Sequence, residues 1–455
     1  MKKTLILGGS TVMKDGTSPQ DVLIDVTGVI EDVRPDIQDH RDAEVVDAKG
    51  ALLFPLLVDC HVHFREPGLE HKATMETEAT AALAGGVGTV CEMPNTIPPT
   101  VSVEALKEKV RIASHVGHLK IKFFFGITEP AHLEELQKIW TSKDIGVEML
   151  KRHIAGVKLY LDHSTGDQKV EAIMLDAVFS VCAELKILIV AHCEDPDMNK
   201  AASEKIVNHS GGSISSASKT SALTVDLHSE MRPPESEVKA IKDAIALVRK
   251  YKGAFHVAHL STKGGLDEVR TAKKEGLPVT CEVAPHHLFL TTDDYKTIGT
   301  LGKMNPPLRS LEDRNALWAG IEDGTVDCVS TDHAPHTLEE KQNKFPLQAP
   351  SGVPGVELMF PLLLTVTSGH WPHPTSKKPS AKISYQDIHR LCLTRPVEIF
   401  GLEHDAIEKN KKARLSIVEP ETRWVVERKN LKTKCGWSPY EGWKLQGRIR
   451  EIIAR

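Results

Sequence analysis

From about residue 52 onward the chain alternates between short apolar runs and longer stretches in which apolar residues recur every three or four positions. The short runs predict strands and the longer stretches predict amphipathic helices. Strands are expected at 53–58, 87–92, 120–125, 156–161, 187–191, 255–258, 279–283 and 326–330. Helices are expected between them, at 75–84, 103–113, 131–139, 175–185, 235–252, 266–275 and 311–323. Ser310 with Asp313 makes a capping-box pattern, and Gly253 and Gly324 stand where helices should end. Eight strands alternating with helices predict an α/β chain folded as a (β/α)8 TIM-like barrel. An open doubly wound sheet is the rival, but neither GxGxxG nor GxxxxGK[ST] occurs.

The first fifty residues have another texture. Short apolar runs at 4–8 and 22–33 are broken by Gly and Asp, which suggests small antiparallel strands, and a similar texture returns at 413–419 and 424–426. The expected organisation is a small β-sandwich domain built from both chain ends, 1–54 and 391–455, around a barrel of 55–390. Two long polar stretches, 208–234 and 333–355, read as loops of the kind that often carry function.

Composition narrows the class. The 455 residues are 40% hydrophobic and 26% charged, ordinary for a soluble globular protein. A net charge of -5 with no basic block disfavours nucleic acid or a membrane surface as partner. The apolar run after Lys2-Lys3 is too short for a signal peptide, and no run approaches the roughly 18–20 residues that span a bilayer. Eight scattered cysteines without a CxxC pair predict a reducing, cytoplasmic setting and no disulfide framework.

Reactive groups of such barrels gather at the C-terminal ends of the strands. Here strand one runs into Asp59, His61, His63 and Arg65, and strand two into Met93-Pro94-Asn95-Thr96. Strand five ends in His192, strand six carries His256 and His259, strand seven ends in His286 and His287, and strand eight in Asp332, His333 and His336. A lone histidine pair also fits surface or capping roles. Repetition over five strands, with an aspartate at the eighth, points to a metal centre of the kind zinc occupies.

His61 and His63 share a strand face, whereas the odd offset of His256 and His259 turns only one of that pair toward the metal. His286 and His287 stay unassigned. Lys158 stands in an apolar strand, where an ammonium is expensive to bury. Either it pairs with a carboxylate, or its amine is depressed in pKa and carboxylated by CO2 into a carbamate able to bridge two cations. Arg65 has the planar fork that binds a carboxylate, and Asn95 and Asn305 offer directed amides or simple turn chemistry.

These residues resemble the amidohydrolase superfamily and, within it, the class I dihydroorotases. The resemblance rests on DCHVHFREPG (59–68), EMPNT (92–96), GVKLYLD (156–162), AHCED (191–195), HVAHLST (256–262), EVAPHHL (282–288), KMNPPLR (303–309), STDHAPH (330–336), SGVPGVE (351–357) and a late KCGWSPY (434–440). It implies that His61, His63 and Asp332 bind one zinc ion, that His192 and His259 bind a second, and that carboxylated Lys158 bridges them. It further implies that Arg65, Asn95 and His336 hold a substrate carboxylate, that Asn305 meets the ring, and that the backbone at Val353-Pro354-Gly355 adds hydrogen bonds.

Asp332 is then general base and acid in the reversible interconversion of L-dihydroorotate and N-carbamoyl-L-aspartate by metal-held hydroxide, a step of pyrimidine synthesis. Two departures stand out. Pro55-Leu56-Leu57 lacks the family's glycine before the HxH motif, and Lys411-Lys412-Ala413-Arg414-Leu415 replaces its Asp-Ala-Asp-Leu, which suggests weaker packing of the final β segment.

Related rivals are a dihydropyrimidinase or allantoinase, which share the metal residues but act on uncharged rings; allantoinase-like chains carry asparagine where this one has Arg65. A noncatalytic partner of a transcarbamoylase is the rival of another class, and it predicts missing ligands where none is missing. A homodimer is the commonest assembly for such a chain, and association with an aspartate transcarbamoylase is compatible with activity.

Overall fold

The computed structural model describes residues 2–38, 42–162, 168–209 and 224–454. Eight parallel strands form the barrel: Leu57–Val62, Val87–Glu92, Lys120–Gly126, Ile154–Tyr160, Ile189–His192, Phe255–Val257, Val279–Val283 and Cys328–Val329, each bonded to its neighbour in chain order. The ring closes where Val62 bridges His333, with the His63 amide donating to the His333 carbonyl at 2.7 Å. Most strand positions are buried on both faces, which is why they read as apolar runs rather than as alternating patterns.

Helices Met75–Ala84 and Val103–Ala113 match their expected bounds, and Ser310 caps Leu311–Glu322 in a reciprocal box with Asp313. Helix Pro234–Tyr251 ends differently from the expectation: Lys252, at φ 60°, takes the left-handed cap position that the sequence assigned to Gly253.

The expected first strand, 53–58, is two strands. Leu52–Pro55 belongs to a sheet of the chain ends and Leu57–Val62 to the barrel, with the change of direction at Leu56. The turn is made without the glycine noted as missing, because the partner strand supplies one: a Cβ on Gly88 would lie 2.5 Å from that of Leu56.

The second sheet has seven strands: Lys3–Met13, Gly16–Ile24, Ile30–Arg34, Ala43–Asp47, Leu52–Pro55, Arg414–Val425 and Lys444–Ala454. Lys3–Met13 is shared, its first half pairing with Ala43–Asp47 and its second with Leu52–Pro55. A register shift between Ile6 and Gly9, with Gly8 at φ 75°, makes room for this, and a Cβ on Gly9 would strike Leu53 at 2.8 Å. The sheet therefore divides around its own small core of Ile6, Val22, Ile24, Leu53, Leu415, Ile417 and Ile453.

Arg414, where the sequence suggested weaker packing, is a joint. It donates to Asp405 at 2.9 Å, to the His118 carbonyl at 2.8 Å and to the Gly88 carbonyl at 2.7 Å, tying the sheet to the barrel.

Helical residues 385–400 rest on barrel strands Leu57–Val62 and Cys328–Val329, so the chain re-enters the sheet only at Arg414, later than the expected 391. Of the expected loop 208–234, residues 210–223 lie outside the described residues, and the remainder includes helix Leu227–Met231. The stretch 333–355 is described throughout and contains the short helix Leu338–Lys341. All eight cysteines are free, and no helix among the described residues is long and apolar enough to cross a membrane.

Candidate active site

The strand ends deliver the expected histidines to the barrel mouth as a continuous row. Ring centroids are 5.4 Å apart for His63 and His61, 5.1 Å for His61 and His259, and 4.8 Å for His259 and His192. Asp332 Oδ1 lies 3.0 Å from His63 Nε2 and 3.3 Å from His61 Nε2. Arg65, His259 and Asp332 hold positive φ values of 69°, 34° and 47°. Non-glycine residues adopt that region at an energetic cost, and such strain gathers at functional sites.

Three of the four imidazoles are oriented from behind. His61 Nδ1 is 2.5 Å from Glu282 Oε1, His63 Nδ1 is 2.6 Å from Asn95 Oδ1, and His192 Nε2 is 2.8 Å from Glu194 Oε2. These acceptors fix the N–H on the rear nitrogen and turn a lone pair forward. Burial lowers the His61 pKa and drives that of His63 well below the usual imidazole value, so both stay neutral.

Two imidazole nitrogens and a carboxylate oxygen thus converge on one point, where burial raises the Asp332 pKa, and His61, His63 and Asp332 are spaced as metal ligands. His192 Nδ1 and His259 Nε2 stand 3.1 Å apart, within hydrogen-bond distance of each other. Lys158 Nζ is buried and without a hydrogen-bond partner among the described residues, and burial lowers its pKa to about 8. The lowered pKa raises the share of neutral amine, the form that takes up CO2, and the His61, His63 and Asp332 set fits a metal ion.

The carboxylates behind the row had no role assigned in the sequence. Glu282 lies 3.3 Å from His256 Nε2 and accepts from the His259 amide; burial alone would push its carboxyl up, but His61 and His256 hold it well below the usual range. His256 is thereby turned to Glu282 and to Thr280 Oγ1, 2.7 Å away, while His259 stands beyond the strand end and faces the cleft. Arg232 clamps Glu194. Glu78 binds His333 Nε2 at 2.8 Å, which makes His333 a brace and not a ligand. The readable signal was a charge inside an apolar strand, present at Glu282 as it is at Lys158.

Arg65, Asn95, Asn305, Tyr160 and Ser351 line the same cleft as His61, His63, His259 and Asp332. Arg65 is buried and donates to the Pro335 carbonyl at 3.0 Å, and its Nη2 lies 3.1 Å from His336 Nε2, which is also 3.0 Å from the Ser351 carbonyl. No carboxylate lies within ion-pair distance of it among the described residues. His336 stands behind Arg65, its Nδ1 3.0 Å from Lys72 Nζ. Asn305 Oδ1 accepts from His228 Nε2 at 2.9 Å. Pro354 and Gly355 differ from the expectation: they line a separate hollow beside Trp437, and the Gly355 amide donates to His333 Nδ1 at 3.0 Å. From that stretch, Ser351 reaches the cleft instead. His286 and His287 are buried side by side after strand Val279–Val283, and His287 Nε2 donates to the Pro306 carbonyl at 3.0 Å.

A model of the amidohydrolase family matches residues 52–449. The chain belongs to the amidohydrolase family. Similar amidohydrolase relatives include a dihydroorotase of Staphylococcus epidermidis, 36% identical over 406 residues that make up 89% of this chain and 86% of that one. A dihydroorotase of Bacillus cytotoxicus is 33% identical over 443 residues, 97% of this chain and 95% of its own. Among solved structures, an L-hydantoinase (dihydropyrimidinase) from Arthrobacter aurescens superposes with a TM-score of 0.86 at 24% identity, covering 100% of this chain and 96% of its own. A dihydropyrimidinase from Brevibacillus agri gives 0.85 at 21% identity, covering 99% and 93%. At those identities the two structures share this amidohydrolase fold and carry no argument about substrate.

Proposed function

We propose that the chain is a dihydroorotase, interconverting L-dihydroorotate and N-carbamoyl-L-aspartate. Arg65 carries the reading: a buried guanidinium in the cleft, with no carboxylate within ion-pair distance among the described residues, calls for a ligand that brings one. The dihydroorotase relatives support the same substrate. A dihydropyrimidinase-type activity on an uncharged ring would leave that cation unmatched.

His61, His63 and Asp332 would hold one zinc ion and His192 and His259 a second, with carboxylated Lys158 between them. When bound, such ions supply Lewis acidity and a water of lowered pKa. The protein's own groups do the rest. Arg65, steadied by His336 and Pro335, binds the substrate carboxylate. Asn305, its carbonyl oxygen engaged by His228, presents its amide N–H groups to the ring.

Asp332 Oδ1 faces the two imidazoles, so Oδ2 takes the proton of the attacking water and returns it to the ring nitrogen as the amide bond breaks. Ring closure runs the same transfers in reverse, Asp332 receiving the proton of the attacking nitrogen.

The test compares zinc-loaded wild type with Arg65→Ala on L-dihydroorotate and dihydrouracil. Wild type should prefer L-dihydroorotate, and the variant should lose about 10²- to 10³-fold in kcat/KM for it, the scale of stripping a buried charge of its partner. Equal or better turnover of dihydrouracil by wild type overturns the assignment.

A further inference from the structure

Tyr160 closes strand Ile154–Tyr160 two residues after Lys158, so both side chains leave the same face of the strand. Its ring lies 5.0 Å from Lys158 Nζ and 6.2 Å from the His192 ring, and the residue lines the cleft with Arg65 and Asp332. The phenol oxygen is buried and has no hydrogen-bond partner among the described residues. Buried hydroxyls are nearly always bonded, because an unpaired one forfeits its water for nothing. Phenylalanine would fill the same space without that penalty. The hydroxyl is therefore placed for a group that arrives with the ligand.

A phenol is an O–H donor, and this one shares its cleft with the Arg65 guanidinium. We infer that Tyr160 Oη donates a hydrogen bond to the substrate carboxylate held by Arg65, making Tyr160 a second carboxylate-recognition residue. The inference rests on the dihydroorotase reading for the identity of that carboxylate.

Tyr160→Phe tests it, because the oxygen removed has no hydrogen-bond partner among the described residues to lose. The zinc-loaded variant should keep wild-type metal content and an unfolding temperature equal to or above wild type. KM for L-dihydroorotate should rise about 10- to 100-fold with kcat within a few-fold, as expected when a hydrogen bond to a charged group is lost in ground and transition states alike. An unchanged KM overturns the inference, as does a fall in kcat alone or a loss of bound zinc, which would place the hydroxyl on the metal side. Failure of wild type to turn over L-dihydroorotate at all would instead overturn the reading of the substrate.

Discussion

Lys341 and Lys158 are both buried lysines, and the protein treats them in opposite ways. Lys341, in the loop over the cleft, gives its ammonium to the carbonyls of Lys303 at 2.8 Å, Pro350 at 2.9 Å and Gly352 at 3.0 Å. Lys303 reciprocates with bonds to the Leu347 and Ala349 carbonyls, at 3.0 and 2.6 Å, so two lysines pin 346–352 beside Asn305. Lys158, on the barrel wall, has no hydrogen-bond partner among the described residues. Another buried lysine, Lys109, behaves like the first, with Glu92 at 3.3 Å and the Met93 carbonyl at 2.8 Å. Partnered lysines hold loops and strands, whereas the unpartnered one faces the row of histidines. Unmet hydrogen-bonding capacity separates working groups from scaffolding more sharply than burial does.

Substitutions can break or sharpen that contrast. Lys158→Met should cut kcat for L-dihydroorotate by about 10³-fold or more, the scale on which a preorganised charge is felt. Its unfolding temperature, measured without metal, should hold or rise because no bond is lost; a lower one would mean that Lys158 has a structural partner.

Lys341→Met should do the reverse. It strands the carbonyls of Pro350 and Gly352, that of Lys303 keeping the Gly352 amide, at a cost of about 2 kcal/mol, lowers the unfolding temperature, and exposes 346–352 to protease. Protease resistance equal to wild type would show that the loop does not depend on this clamp.

Glu282→Gln keeps the shape behind His61 and removes the charge. Zinc affinity should fall about 10- to 100-fold in a chelator competition. Smallest of all, Ser310→Ala removes a satisfied helix cap on the barrel's outer surface. It should cost about 1 kcal/mol and leave kcat and KM unchanged.

How much the sequence disclosed follows from the same physics. Strand ends carrying histidines were legible because a polar residue after an apolar run is visible locally, and so was Lys158 as a charge within one. Glu282 broke the pattern equally, but its partner His61 is 221 positions away, and no local signal joins them. Lys341 was silent for another reason. Its acceptors are backbone carbonyls, which every residue has.

The split of 53–58 into two strands was hidden because burial on both sides erases the change of direction at Leu56. Arg414 looked like a weak substitute until the fold brought Gly88, His118 and Asp405 around it. The reach of Pro354 and Gly355 was misjudged because the His333 side chain takes the Gly355 amide.

The central claim is that the unpaired groups at the barrel mouth exist to build and use a two-metal centre. It is tested most directly by reloading metal-free protein with zinc in 13C-labelled bicarbonate while counting bound ions and following L-dihydroorotate turnover. The account predicts two zinc ions per chain and a carbamate carbon signal that is absent in Lys158→Met. Full turnover with a single ion per chain and no carbamate signal would contradict it.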